Sequence, residues 1–300
     1  MTHERPHGHV VLVTGAGQGI GRAIAKAFGA SGATVILAGR TLAKLEEAAA
    51  SVEQAGGRAL PLAVDVTDRV AVTAMMDRVR DEVGVPDVLV NAAGTLQAVG
   101  PFWEIDPDAW WHEVDANLRS TALCAWAVLP DMVAAQRGTI INLVTLAVDM
   151  RSGYDSAYTA SKAGVIRLST SLAVETEPHG IRVFAVDPGI VKTRMTQQLM
   201  DSPIGRKYFP FFQHLPDDSW APPERTADVC VQLAAGRGGF LSGHVIHVDD
   251  RPSRLGWRLI GRLGQAWREF YAMRLASSST RAATTRTNGI VARASAPSRR

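Results

Sequence analysis

Cysteine is nearly absent from this 300-residue chain. The two that occur, Cys124 and Cys230, fall on helical stretches far apart in sequence, so a disulfide scaffold is excluded by count. No Cys/His group has metal-ligand spacing, and no metal site is expected; of the eight histidines, His3, His7 and His9 crowd the start. No apolar run reaches the ~18 residues of a membrane-spanning helix. The start lacks a basic flank joined to an apolar core, so no leader is expected and cytoplasm is the expected compartment. Lysine is also scarce, five against 27 arginines, a bias that reads as composition and not as function.

Net charge is only +3, yet it is unevenly distributed. Residues 251–300 hold eleven arginines and one acid, Glu269, leaving 21 basic and 28 acidic groups in the first 250 residues. With 46% apolar residues the chain can bury a full core, and its length suits one domain of about 250 residues with an appendage.

Short apolar runs alternate with helical patterns from residue 9 onward. Strands are expected near 9–14, 34–38, 59–64, 87–91, 138–144, 181–187 and 244–248, and helices near 19–31, 41–55, 67–83, 107–135 and 156–177. This alternation argues an α/β fold: one doubly wound, Rossmann-type parallel sheet of about seven strands with helices on both faces. Ligands of such sheets bind beyond the carboxyl ends of the strands. Gly15, Gly39, Asp65, Asn91, Thr145 and Pro188 are all expected there.

The first strand, Val10-Val11-Leu12-Val13, runs into Thr14-Gly15-Ala16-Gly17-Gln18-Gly19-Ile20-Gly21, and a helical pattern follows. Strand, glycine turn and helix form the context in which a pyrophosphate meets a helix N-terminus, although the spacing is Gly-x-x-x-Gly-x-Gly. After the second strand, a site for a free ribose 2′-hydroxyl would offer Asp or Glu. This chain has Gly39 and Arg40. A guanidinium favours a 2′-phosphate, hence NADP(H), with NAD(H) as the alternative. Arg40 could equally be the solvated residue that ends a strand, and Gln18 leaves the turn without a second basic clamp.

Tyr158 and Lys162 are four residues apart, which on a helix puts both on one face. An ammonium beside a phenol favours phenolate and draws its pKa from about 10 toward neutrality, which suits acid/base work on an alcohol or carbonyl. By itself the pair reads as two solvated residues; the glycine turn upstream gives it weight.

With these motifs together, residues 8–250 resemble the compact branch of the short-chain dehydrogenase/reductase family. Gly15, Gly17, Gln18, Gly19, Ile20 and Gly21 match its cofactor turn, and Asp65-Val66 the pair that holds the adenine. Asn91-Ala92-Ala93-Gly94 matches its Asn-Ala-Gly turn, and Asn117 its helical active-site asparagine. Tyr158 and Lys162 match its active-site pair, and Pro188-Gly189-Ile190-Val191-Lys192-Thr193 its nicotinamide-contacting segment. Where the family usually has Ser, thirteen residues before the Tyr, this chain has Thr145, which keeps the hydroxyl and adds a methyl. Ser152 and Ser156 lie near but are placed less well. The resemblance implies an oxidoreductase interconverting alcohol and ketone or aldehyde. Tyr158 would exchange the proton, Lys162 would tune it and hold the ribose, Thr145 would orient the substrate oxygen, and Asn117 would anchor a water. The alternative is a regulatory or scaffolding protein that binds cofactor with little turnover, which Thr145 alone favours.

Residues 190–221 break the alternation with Met195, Tyr208, Phe209, Phe211, Phe212 and Trp220 among three prolines. They read as a lid over a bulky apolar substrate, with Leu96, Trp103, Leu146, Met150 and Tyr154 on the other wall; packing of the aromatics on the protein's own body is the other reading. Residues 1–8 read as a flexible start, 251–276 as a basic amphipathic helix and 277–300 as a disordered tail. That helix would pack on its own domain, or touch a membrane surface through 254–275, or meet a partner protein. The resemblance also implies a homodimer or homotetramer through the helices near 107–135 and 156–177. Charge without interleaved aromatics gives no expectation of nucleic-acid binding.

Overall fold

Seven strands, all parallel, form one sheet in the order β3-β2-β1-β4-β5-β6-β7. They are β1 (Val10–Thr14), β2 (Thr34–Gly39), β3 (Arg58–Ala63), β4 (Val88–Asn91), β5 (Gly138–Leu143), β6 (Ile181–Asp187) and β7 (Val245–His247). The helices are α1 (Gly19–Ala30), α2 (Leu42–Gln54), α3 (Arg69–Glu82), α4 (Pro107–Val114), α5 (Ser120–Ala135), α6 (Ser156–Thr176), α7 (Arg194–Asp201), α8 (Pro203–Tyr208) and α9 (Pro223–Ala234). This computed structural model describes residues 8–150 and 153–248. The segments expected at 1–8, 251–276 and 277–300 lie wholly or almost wholly outside the described residues. No described helix is long and apolar enough to cross a membrane.

The central strands are mostly apolar because both faces are covered. Leu12, Ile36, Leu89 and Ile140 are buried and pack with Met76, Val79, Val128 and Met132 from α3 and α5. Strand order reverses between β1 and β4, which pair directly, so the chain leaves the sheet in opposite directions from that seam and opens a crevice at its carboxyl edge. Thr14 ties the seam's upper end: its hydroxyl accepts from Ala92 N at 3.1 Å and Ala93 N at 3.2 Å.

Two elements differ from the sequence expectation. The helix expected over 107–135 is interrupted by a π-helical turn at Asp115–Arg119. The segment 190–221 is no open loop. It contains α7 and α8, and a bridge between Val191 and Ala221 closes its base, where Ala221 N donates to Ile190 O at 2.7 Å.

Candidate active site and nucleotide crevice

All six residues expected past strand ends stand at the carboxyl edge of the sheet, either ending a strand (Gly39, Asn91) or following one within two residues. Around the seam between β1 and β4 the glycine turn leads into α1. The third glycine of the motif, Gly21, lies flat against the turn: a Cβ there would come 2.4 Å from Gly15 O. The helix starts with Gln18 as N-cap, whose side chain makes no capping hydrogen bond, and its first turn carries no acid. Its leading N–H groups are thus left for an anion, the arrangement a pyrophosphate requires. Residues Gly15, Gly17, Gly19, Ile20 and Gly21 make up that turn, and Thr193, at the start of α7, lies against Gly19. Asp65 is exposed beside it, with Val66 buried. Its carboxylate accepts from Thr67 N at 2.9 Å and Thr67 Oγ1 at 2.7 Å, which, with Arg40 nearby, hold its pKa below the usual range. The crevice therefore fits a dinucleotide.

Arg40 is exposed at the end of β2. The glycine turn itself holds Gln18 and no second cation. The fold supplies one in Lys44, on the first turn of α2, whose ammonium donates to Gln18 Oε1 at 3.2 Å. Twenty-six residues separate the two in sequence, so only the packing of α2 on the glycine turn reveals the pair.

The catalytic candidates gather on the other side of the seam. Lys162, on α6, is buried, and its Nζ donates to Leu143 O, the last residue of β5, at 2.9 Å. The same Nζ stands 5.9 Å from the centre of the Tyr158 ring. Asn117 sits in the π turn, fully buried. It accepts from Thr95 N at 2.8 Å through Oδ1 and donates to Thr95 O at 3.0 Å. The π turn presents this side chain to the backbone of Thr95. Gly94 closes the group, since a Cβ there would lie 2.8 Å from Asn117 Oδ1 and 3.6 Å from Lys162 Nζ. Thr145 follows β5 by two residues and is half-buried; its hydroxyl accepts from Ala147 N at 3.2 Å. Asn91 donates to Asn142, and Asn142 to Ser169, so the strands beneath are tied to α6 by buried amides. Pro188, Gly189 and Val191 follow β6; Gly189 N donates to Asp187 Oδ1 at 3.3 Å.

One electrostatic expectation is corrected. Proximity to Lys162 was expected to lower the Tyr158 pKa. Burial instead dominates both groups. It lifts the phenol above its usual range, with the carboxylates of Asp187, Glu113 and Asp155 adding to the rise, and it draws Lys162 down to about 8. A lysine at about 8 is still largely cationic at neutral pH, and a phenol held high stays protonated.

The lid carries two aromatic groups. Phe211 and Phe212 stack at 4.3 Å between Phe209 and Trp220, and Phe209 is buried. Tyr208 stacks on Tyr154 at 4.4 Å. Tyr154 has a left-handed backbone, φ +72°, and its carbonyl accepts from Gly100 N at 2.8 Å, so the end of α8 and two loops meet there. Of the residues expected on the opposite wall, Trp103, Met150, Tyr154 and Leu146 are exposed, and Leu96 is half-buried. A cavity of about 430 Å³ lies between α8 and residues 97–106, with Ile204 and Tyr208 among its walls.

Residues 9–203 match the family model described as short chain dehydrogenase. The chain belongs to the short-chain dehydrogenase family. A short chain dehydrogenase of Pseudocercospora fijiensis is 36% identical over 190 residues, 63% of this chain and 61% of that protein's length. The cis-4-hydroxycyclohexanecarboxylate dehydrogenase of Sinomonas cyclohexanicum is 35% identical over 249 residues, covering 80% of this chain and 94% of that one. Among solved structures, a putative short-chain alcohol dehydrogenase from Sinorhizobium meliloti 1021 superposes with a TM-score of 0.73 at 33% identity, over 81% of this chain and 95% of that one. As a member of this family the protein is an oxidoreductase of the kind that uses a nicotinamide nucleotide.

Proposed function

We propose that this short-chain dehydrogenase interconverts a ketone or aldehyde and the corresponding alcohol on a bulky apolar substrate, with NADP(H) preferred over NAD(H). The observation that carries the reading is the buried Lys162 ammonium, hydrogen-bonded to Leu143 O and facing the Tyr158 ring. A lysine is costly to bury unless its charge is used.

The nicotinamide supplies the hydride-carrying carbon when bound. Everything else falls to the chain. The turn 15–21, Asp65-Val66, Asn91, Ala92, Gly94 and the segment from Pro188 to Thr193 hold the dinucleotide. Arg40 and Lys44 together meet the 2′-phosphate, which supports the NADP(H) reading. Thr145 donates its hydroxyl to the substrate oxygen and stabilises negative charge there. Tyr158 gives its proton to that oxygen, or takes it in the reverse direction. Lys162 holds the ribose and offsets the charge that grows on Tyr158 as the proton leaves. Asn117 anchors a water between Lys162 and solvent.

The stacked rings of the lid support an apolar substrate body. The exposed Trp126 on α5 and Val174 on α6 support assembly with further copies of the chain through these helices. The family fold and the lack of any membrane-crossing helix among the described residues support a cytoplasmic setting.

Purified protein with NADPH or NADH and a panel of ketones and aldehydes tests the reading. Nucleotide oxidation that needs the ketone, prefers NADPH and disappears in Tyr158→Phe supports it. Tight nucleotide binding without turnover on any member would assign the chain to binding or regulation instead.

A further inference from the structure

Glu113 stands beside this centre, and none of the roles above uses it. It lies on α4 and is 1% exposed. One carboxyl oxygen, Oε2, accepts from the backbone N–H groups of Gln97 and Ala98, the latter at 2.8 Å. The other, Oε1, is buried and has no hydrogen-bond partner. Among the described residues no cation pairs with it. A buried carboxyl so placed is costly to keep, and an apolar side chain would fill the position on α4 at no such cost.

The surroundings of Glu113 differ on its two sides. Outward, it lines a cavity of about 380 Å³ with Thr95, Gln97, Ala98, Asp108, Ala109 and His112. Asp108 and His112 are exposed, so the cavity opens to solvent; its wall is largely apolar, but Glu113, Asp108 and His112 give water polar partners there, and it is roomy enough to hold water. Inward, α4 is pinned to the start of α6, where Trp110 Nε1 donates to Ser156 Oγ at 3.0 Å. The buried Asp155 precedes that serine, and Tyr158 follows it by two residues. The negative charge of Glu113 acts on both, helping to raise the Asp155 carboxyl and the Tyr158 phenol, while burial raises Glu113 itself. The titratable groups around Glu113 are thus Asp108 and His112 on its own helix, Asp155 just before α6 and Tyr158 on α6. Lys162 and Asp187 act on the phenol from beyond.

We propose that Glu113 is a positioning residue of the reaction: its carboxyl exchanges a proton with solvent through this cavity, and its charge state governs how readily Tyr158 releases its own. An ionised Glu113 holds the phenol's proton; a protonated Glu113 frees it. The proposal rests on Tyr158 as the acid, and its test separates the two ideas.

The full chain labelled with 13C at tyrosine Cζ is titrated by NMR between pH 5 and 9, as wild type and as Glu113→Gln. The substitution keeps both backbone hydrogen bonds through the amide oxygen and removes the charge. The expected result is a step in the Tyr158 Cζ shift as Glu113 ionises, lost in Glu113→Gln. In the reductive direction, the pH dependence of kcat loses the same step while KM for nucleotide is unchanged. A wild-type Tyr158 shift with no such step overturns the proposal without any variant, as do superimposable titrations of the two proteins. Turnover that survives Tyr158→Phe would instead overturn the assignment of Tyr158, and the Cζ titration would still decide whether Glu113 and the phenol are coupled.

Discussion

Gly21→Ala sets two effects of known sign against each other. Gly21 lies within the first turn of α1, where alanine is the better helix former by about 1 kcal/mol. By propensity alone the substitution stabilises. The added methyl, however, would stand 2.4 Å from Gly15 O and 2.9 Å from Gly15 C. Both are backbone atoms of the turn, so no side chain can swing aside, and Gly21 is buried. Ordinary carbon–carbon contact lies near 3.5–4.0 Å, so the helix and turn must part by about 1 Å. Overpacking of this kind costs about 1–3 kcal/mol. The balance is a loss of about 1 kcal/mol, read by thermal denaturation as a fall in Tm of roughly 2–4 °C for a domain of this size. Because the turn that shifts is the one proposed to hold the pyrophosphate, the rise in Tm on adding NADPH should also shrink. A Tm equal to or above wild type, with the NADPH-induced rise intact, would refute the claim that close helix–turn contact requires glycine here.

Arg40→Ala and Lys44→Ala should each weaken NADPH binding about tenfold, as expected for a lost charged hydrogen bond, and leave NADH binding unchanged; titration calorimetry with 2′,5′-ADP against 5′-AMP checks this without turnover. Thr145→Val keeps shape and removes the hydroxyl, so kcat should fall by about 10²–10³ while nucleotide affinity holds, measured by steady-state kinetics and calorimetry. Lys162 gives a pH dependence of stability. Its folded pKa of about 8 lies below the ordinary 10.5. Between these values the unfolded chain binds the extra proton, so this group's contribution to stability rises with pH, by up to roughly 3 kcal/mol. Urea denaturation from pH 7.5 to 10 should show wild type gaining on Lys162→Met across that window.

The sheet was legible because buried parallel strands are continuous apolar runs: β6 begins and ends where the run from Ile181 to Asp187 does. The glycine turn was legible because local backbone chemistry fixes it. What escaped depends on contacts distant in sequence or on small changes in helical pitch. The π turn at Asp115–Arg119 leaves the apolar pattern almost unchanged, so 107–135 reads as one helix. Lys44 reads as a solvated helix residue until α2 packs beside Gln18. Glu113, between His112 and Val114, reads as a surface acid; only burial against residues 97–98 shows otherwise. The Tyr158–Lys162 spacing was right, but the sign of the phenol's shift was not, because burial outweighs one neighbouring charge.

The measurement that bears most directly on the account is made on Tyr158→Phe, with NADPH affinity and ketone reduction determined on the same preparation. A phenyl ring fills the same space and cannot donate a proton. Reduction should fall by about 10²–10⁴, the usual share of a general acid, while NADPH binds as in wild type. Reduction at wild-type rate with NADPH bound would contradict the assignment of Tyr158 as the group that gives the proton.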